Sequence, residues 1–258
     1  MATIIPIPAF RDNYIWAVRS GEFAAVVDPG DAAPVLAWLA GNDVRLSAII
    51  ATHHHADHVG GVLALRAQYD VPVFGPAHET IPGRTRALVE GERIDVPGVG
   101  LALAVLDIPG HTAGHIAYCA SGADPLLFCG DTLFAAGCGR LFEGTPAQMW
   151  SSLAKLAALP PATRVYCGHE YTLANLRFAE AVEPDNAELR LRTARERAKR
   201  EQGLPTLPTT IGEELATNPF LRAARPDVMA SAARHAGRPV TDPVDAFATL
   251  REWKNGFQ

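Results

Sequence analysis

A layered α/β domain followed by a mostly helical one is the architecture this sequence predicts, and three observations carry it. Short apolar runs rich in Val, Ile and Leu alternate with segments of helical period as far as about residue 170. Beyond Tyr171 strand signals stop and the texture becomes charged and helix-forming. Several of the earlier runs also end in clusters of Gly, His and Asp, where loops carry chemistry on a rigid scaffold. The expected division is 1–169 for the α/β part and 170–258 for the helical part.

The chain has 258 residues, 48% hydrophobic and 20% charged, which is a folding composition and not that of a disordered segment. A formal net charge of −5 argues against general nucleic-acid binding, and the acidic surplus lies before Asn175. The four cysteines, Cys119, Cys129, Cys138 and Cys167, form no C-x-x-C pair, so reduced thiols in a cytoplasmic protein are expected. The opening Met-Ala-Thr-Ile-Ile-Pro-Ile-Pro lacks the features of a signal peptide. No apolar run approaches the ~20 residues of a membrane span. A monomer with no membrane and no nucleic-acid partner is therefore expected.

In order along the chain, Ile4–Ile7 and Tyr14–Val18 read as strands flanking the turn Arg11-Asp12-Asn13. Ala24–Val27 is a third, ending at Asp28-Pro29-Gly30, before a helix from about Ala32 to Leu39. Ala48–Ala51 reads as a buried strand, Val62–Tyr69 as a helix, and Val71–Phe74 and Leu101–Leu106 as further strands. Thr145-Pro146-Ala147-Gln148 is a capping box with proline at the first helical position, opening a helix that buries Met149, Leu153 and Leu156. Arg164–Cys167 is a strand. In the second part Ala187–Gln202 reads as a helix stopped by Gly203, Thr210-Ile211-Gly212-Glu213 as another capping box, and Asp242-Pro243 as the start of a last helix to about Trp253.

The densest chemistry is Thr52-His53-His54-His55-Ala56-Asp57-His58, directly after the strand that ends at Ala51. Neutral imidazole and carboxylate are the ligands that zinc and similar divalent metals take at catalytic sites. Three later loops each follow a strand and place glycine before a possible ligand: Gly110-His111, Gly130-Asp131 and Gly168-His169. Together these supply five histidines and two aspartates, enough for two metals sharing one carboxylate. A surface histidine run is the competing reading, and the matching loops argue against it. His54 and His115 stay outside the ligand set, His78 and His235 read as surface residues, and Cys138 as a small buried filler. Asp28 either orients a metal ligand or simply forms the Asp-Pro-Gly turn.

The order H-x-H-x-D-H, G-H-T-x-G-H, G-D-T and G-H resembles the metallo-β-lactamase superfamily. The stretches Gly130–Arg140 and Cys167–Thr172, with Asp12-Asn13-Tyr14, Asn218-Pro219-Phe220 and Leu250-Arg251-x-x-Lys254, narrow the resemblance to glyoxalase II, the hydroxyacylglutathione hydrolases. That resemblance implies an αββα sandwich with a dimetal site at one edge. By it His53, His55 and His111 hold one metal, Asp57, His58 and His169 the second, and Asp131 bridges them, with Asp57 and Asp131 as the catalytic carboxylates. Zinc is the first expectation, with iron or manganese as alternatives. The implied substrate residues are Arg140, Phe142, Tyr171, Arg251 and Lys254. Arg140 stands where the family often has Lys, Phe142 where Tyr is common, and Asn255 where Asp usually follows the lysine.

The implied activity is hydrolysis of S-(2-hydroxyacyl)glutathione, chiefly S-D-lactoylglutathione, to D-lactate and glutathione, the second step of methylglyoxal detoxification. Two metals about 3.5–4 Å apart can hold a shared hydroxide near neutral pH, and a bridging hydroxide of this kind suits attack on a thioester. Its thiolate departs readily because the free thiol pKa is near 8.5. Arg251 and Lys254, three apart, share one helical face and suit a glutathione carboxylate; a solvated helix face is the alternative. Tyr171 divides between substrate contact and packing. The rival functions are a persulfide dioxygenase using one iron, whose family lacks the helical second part, a β-lactamase or lactonase, and a non-catalytic metal-binding module of the same fold. A full second ligand set argues against the first and last of these.

Overall fold

Alternating side chains on the N-terminal strands create the first of two sheets and give it two apolar faces. The computed structural model describes residues 2–257. β1 (Thr3–Ala9), β2 (Asn13–Ser20) and β3 (Phe23–Val27) form an antiparallel ribbon. β4 (Arg45–Ile50), β5 (Val73–Pro76) and β6 (Arg86–Leu88) extend it in parallel. The parallel crossovers use α1 (Ala32–Gly41), then α2 (Ala56–Val59) and α3 (Val62–Gln68). Ile15, Ala17, Val26 and Ile49 pack under α1 and α3 with Val35, Leu39, Val62 and Leu65. Their neighbours Trp16, Val18, Val27 and Ile50 belong to the cluster between the sheets, as the two-residue period requires.

β7 (Arg93–Val96), β8 (Leu101–Asp107), β9 (Ile116–Ala120) and β10 (Leu126–Gly130) make the antiparallel part of the second sheet. A two-residue-stranded hairpin follows, β11 (Leu133–Phe134) and β12 (Gly137–Cys138). Next comes α4 (Pro146–Ala157), then β13 (Arg164–Cys167), parallel to β10. α4 buries Met149, Leu153 and Leu156 and shows both halves of the expected capping box between Thr145 and Gln148. The helical part runs α5 (Thr172–Val182), α6 (Ala187–Glu201), β14 (Thr209–Thr210), α7 (Ile211–Thr217), α8 (Pro226–Ala236) and α9 (Pro243–Gly256). The layers follow the expected αββα order, with the helices appended.

Three differences from the sequence reading have physical causes. The second part does contribute to the sheet: Thr209 and Thr210 pair with Val165 and Arg164 on β13, a strand too short to leave a periodic signal. Thr210 caps α7 by accepting from Glu213 N, but the reciprocal half of that box is absent because the Glu213 carboxylate is taken by Arg195 and Thr209. The cluster after β4 is not all loop, since Asp57 and His58 lie in the single turn α2. Strands β6, β7 and β9 and helices α5 and α8 carried no clear signal of their own.

A buried polar network seats the helices on the sandwich. Arg192 donates to Glu214 Oε1 at 2.6 Å and to Thr217 Oγ1 at 2.6 Å. Glu214 Oε2 accepts from Ala136 N (2.8 Å) and Asn218 Nδ2 (2.9 Å). Asn218 also donates to Gly137 O at 2.9 Å. Ala136 has φ +54°, so the β11–β12 turn sits in left-handed backbone and is held there from the helical side.

Candidate metal centre and substrate pocket

Four strand ends deliver the polar cluster. β4 runs into His53 and His55, α2 follows with Asp57 and His58, β8 leads to His111, β10 to Asp131 and β13 to His169. Glycine is required where these loops converge. A Cβ on Gly168 would lie 2.6 Å from Asp131 Oδ1 and 2.6 Å from His58 Cε1, and Gly130 has φ +47° with its missing Cβ directed at Thr52 and the His115 ring.

Two triads each bring three ligand atoms within 4.8 Å of one another: His53, His55 and His111, and Asp57, His58 and His169. Asp131 lies between them, with Oδ1 3.3 Å from His58 Nε2 and Oδ2 3.5 Å from His111 Nε2 and 3.2 Å from His169 Nε2. His53 Nε2, His58 Nε2 and Asp131 Oδ1 are buried and have no hydrogen-bond partner. Buried polar atoms without partners, all of metal-ligand type and spread over both triads and the carboxylate between them, fit a pair of divalent cations. A third grouping, Asp28 with His53 and His58, meets the same distance. Asp28, however, already accepts from Thr52 N (2.7 Å) and Thr52 Oγ1 (2.8 Å) and takes His58 Nδ1 (3.1 Å), so it orients ligands instead of binding metal.

The charges differ between the triads. Burial holds His53, His55 and His111 below the ordinary imidazole range. Burial also opposes charge on His58 and His169, but Asp131, with Asp28 beside His58 and Asp57 beside His169, outweighs it; His169 is raised to about 10. The hydrogen bond from His169 holds Asp57 well below the usual carboxylate range. Burial works against Asp131, yet His58 and His169 keep it low as well. This negative charge is what divalent cations would balance.

His115 and His54 lie outside the triads, in line with the sequence reading. His115 stacks on His53 at 4.5 Å, and its Nε2 accepts from Asp131 N at 3.2 Å, which fixes its tautomer. His54 spans Glu79 at 3.0 Å and Glu143 at 3.4 Å. The Cys138 thiol is pushed up to about 11 by burial and is no nucleophile at neutral pH.

Beside the triads a pocket of about 490 Å³ is lined by His111 and Asp131 and by all five residues predicted for substrate. Phe142, 63% exposed, sets its ring edge-on to His55 and His111 at 5.5 and 5.3 Å. Tyr171 stacks flat on His169 at 4.7 Å, so packing and pocket lining both apply to it. Arg251 is not part of a solvated face: it is 6% exposed, donates to Cys138 O at 2.8 Å and lies over the Phe220 ring. Its Nε is buried without a partner. Lys254 donates to Ala174 O at 3.2 Å, and burial, with Arg251, Arg177 and Arg140 nearby, lowers it to about 8. Arg140 is exposed at the rim. A larger cleft of about 760 Å³ lies across α5, with Asp12 and Asn13 in its wall and none of the triad residues.

Sequence reasoning missed the supports: Asp12, Thr52 and Glu79 against the ligand loops, and Asn175 and Glu214 against the β11–β12 turn. Of these, Asp12 and Thr52 lie in stretches that the sequence singles out, but without a role of their own.

The chain is similar to known proteins along nearly its whole length. Residues 9–169 match the metallo-beta-lactamase superfamily, and residues 170–257 match the family described as hydroxyacylglutathione hydrolase C-terminus. Among curated relatives named hydroxyacylglutathione hydrolase, that of Alkalilimnicola ehrlichii is 60% identical, covering 99% of each chain. That of Nitrosomonas europaea is 54% identical over 100% of this chain and 97% of its own. Among solved structures, ETHE1 from Myxococcus xanthus superposes with a TM-score of 0.65 over 100% of both chains at 23% identity, a likeness of fold alone. TTHA1623 in a di-iron-bound form gives a TM-score of 0.59 at 29% identity, over 84% of this chain and 99% of its own.

Proposed function

The chain belongs to the hydroxyacylglutathione hydrolase family of the metallo-β-lactamase superfamily, and we propose that it hydrolyses S-(2-hydroxyacyl)glutathione thioesters, chiefly S-D-lactoylglutathione, to D-lactate and glutathione. The observation that carries this reading is one Asp131 carboxylate set between two ligand triads, opening onto a pocket with Arg140, Arg251 and Lys254.

His53, His55 and His111 would hold one divalent ion and Asp57, His58 and His169 the other, with Asp131 shared. Zinc is the first choice for this donor set, iron and manganese the alternatives. When bound, the ions supply a nucleophile from water at neutral pH and stabilise negative charge on the carbonyl oxygen. The chain's own residues do the rest. Asp57 and Asp131 orient the attacking water. Phe142 and Tyr171 flank the acyl group. Arg140, Arg251 and Lys254 attract the glutathione carboxylates and favour departure of an anionic thiolate. The thiolate needs no dedicated acid, because its ordinary pKa is near 8.5.

In this reading the part before 169/170 carries the chemistry and lends Arg140 and Phe142 to the pocket, and the helical part adds Tyr171, Arg251 and Lys254. Both triads and the pocket are complete within one chain, which supports a monomer. The four free cysteines suit a reducing, cytoplasmic setting. Among the described residues no helix is long and apolar enough to cross a membrane.

The test is cleavage of S-D-lactoylglutathione by metal-loaded protein, followed by loss of thioester absorbance, with metal analysis alongside. Release of D-lactate and glutathione with about two ions per chain is expected. Inactive protein with both ions bound would refute the reading.

A further inference from the structure

The turn Asp12-Asn13-Tyr14 is a sequence signature with no role in the reaction as described so far. It joins β1 to β2 on the first sheet, yet its backbone reaches the end of β13 on the second. Tyr14 N donates to Gly168 O at 2.8 Å, Glu170 N donates to Asp12 O at 2.8 Å, and Asn13 bridges His169. The side chains go further. Asp12 Oδ1 takes His169 Nδ1 at 2.9 Å, and Asn13 Nδ2 donates to Asp57 Oδ2 at 3.0 Å. The Tyr14 hydroxyl donates to Glu170 Oε2 at 3.0 Å, fixing the residue next to His169.

These contacts are distributed unevenly. Two of the three ligands in the Asp57, His58 and His169 triad take an outer hydrogen bond from the turn. The other triad takes none: His53 Nδ1 faces Thr52 Oγ1 at 3.0 Å, and His111 Nδ1 faces Arg140 O at 2.9 Å. Asp57 also needs the hold, since α2 has only four residues, no side-chain cap at His55, and leaves the Asp57 side chain 41% exposed. Donation of Nδ1–H to the Asp12 carboxylate orients the His169 ring with Nε2 turned into the triad, 3.4 Å from Asp57 Oδ2, which leaves that nitrogen to serve a metal once it gives up its proton.

We propose that Asp12 and Asn13 are positioning residues for the Asp57, His58 and His169 triad, so that losing their contacts weakens that metal site far more than the other. The proposal rests on the dimetal reading above. Without Asp12 the His169 ring is free to rotate and to change tautomer; without Asn13 the Asp57 carboxylate is released toward solvent. Neither change disturbs the Thr52 and Arg140 contacts of the other triad.

The experiment equilibrates holoprotein with zinc buffers of stepped free concentration and counts ions per chain. Wild type should hold two. Asp12→Ala and Asn13→Ala should keep one ion at wild-type affinity and release the other at a free zinc concentration about 10–100-fold higher, the range for loss of an outer partner. Asp12→Asn, which keeps the shape and removes the charge, covers the case in which alanine unfolds the turn, and Asp12→Glu should recover part of the loss. A merely structural role would weaken both ions together or neither, and either pattern overturns the proposal. Wild type holding a single ion would overturn the dimetal reading and the proposal with it, whereas two ions at unchanged affinity in Asp12→Ala and Asp12→Asn would overturn the proposal alone.

Discussion

The metal centre and the substrate pocket are neighbours built in opposite ways. At the centre, His53, His58, His111, Asp131 and His169 are all buried, delivered by loops at the ends of two sheets and hydrogen-bonded from behind by Asp28, Thr52, Asp12 and the Arg140 carbonyl. In the pocket, Phe142 and Arg140 stand in solvent and Tyr171 is 37% exposed, while Arg251 and Lys254 arrive from α9 and are tethered to backbone carbonyls of other elements. A site that must hold crowded charge has to be rigid before the ligand arrives, because no side-chain movement can be spared to absorb that repulsion. A site that recognises a flexible peptide-like ligand can rest on a few anchored cations. The difference implies that damage at the first end removes metal and turnover, whereas damage at the second raises KM.

The largest break should come from Asp131→Asn. It removes the carboxylate that lies between the two triads and is proposed to serve both, so kcat should fall by about 10³-fold or more and the metal content should drop in the same preparation. Full metal loading with reduced kcat would separate the two and contradict a shared ligand. Next comes Glu214→Ala, which takes from buried Arg192 the nearer of its two carboxylates, leaving Glu213 at 3.4 Å, and frees Ala136 N; unfolding in denaturant should show a loss of about 3 kcal/mol. An unchanged midpoint would mean that the β11–β12 turn needs no support from the helices.

The comparison sharpens at α9. Lys254→Ala should raise KM for the glutathione thioester about 10–100-fold with kcat nearly constant, as expected for a lost charged hydrogen bond of about 1.5–3 kcal/mol. Arg251→Ala should change both constants, because Arg251 also holds the Cys138 carbonyl at the pocket wall. Equal KM-only effects from the two would remove the distinction. The smallest expected effect is in pH. Lys254 is lowered to about 8, so its positive charge is present below that pH and is lost above it. KM should therefore rise by at most about tenfold between pH 8 and 9, and Lys254→Ala should flatten the profile. A rise that survives the substitution would assign the titration to another group.

Much of this was legible in one dimension. Thr145 and Gln148 marked a helix start because capping is local, and His53, His55, Asp57 and His58 marked a metal site because coordination chemistry limits the residue types that serve. The solvated-face alternative for Arg251 fails in the structure: helical spacing places it beside Lys254, but only the packing of Phe220 and the β11–β12 turn buries it. The strand Thr209–Thr210 escaped notice because its pairing with β13 is tertiary and its length gives no period.

What the sequence by itself determined is the inventory: the alternation that makes the strands, the glycines that let four loops approach, the ligand types and their order, and a basic pair at helical spacing near the end. What only the tertiary structure decided is the partition. Asp131 comes to lie between two triads, Asp12 supports His169 from 157 positions away, Asp28 accepts from His58, and Arg251 donates to Cys138 across 113 positions. Contacts of that separation depend on how two sheets and a helical layer stack. No local period encodes them, because each is satisfied only after the backbone groups between have already found their own partners.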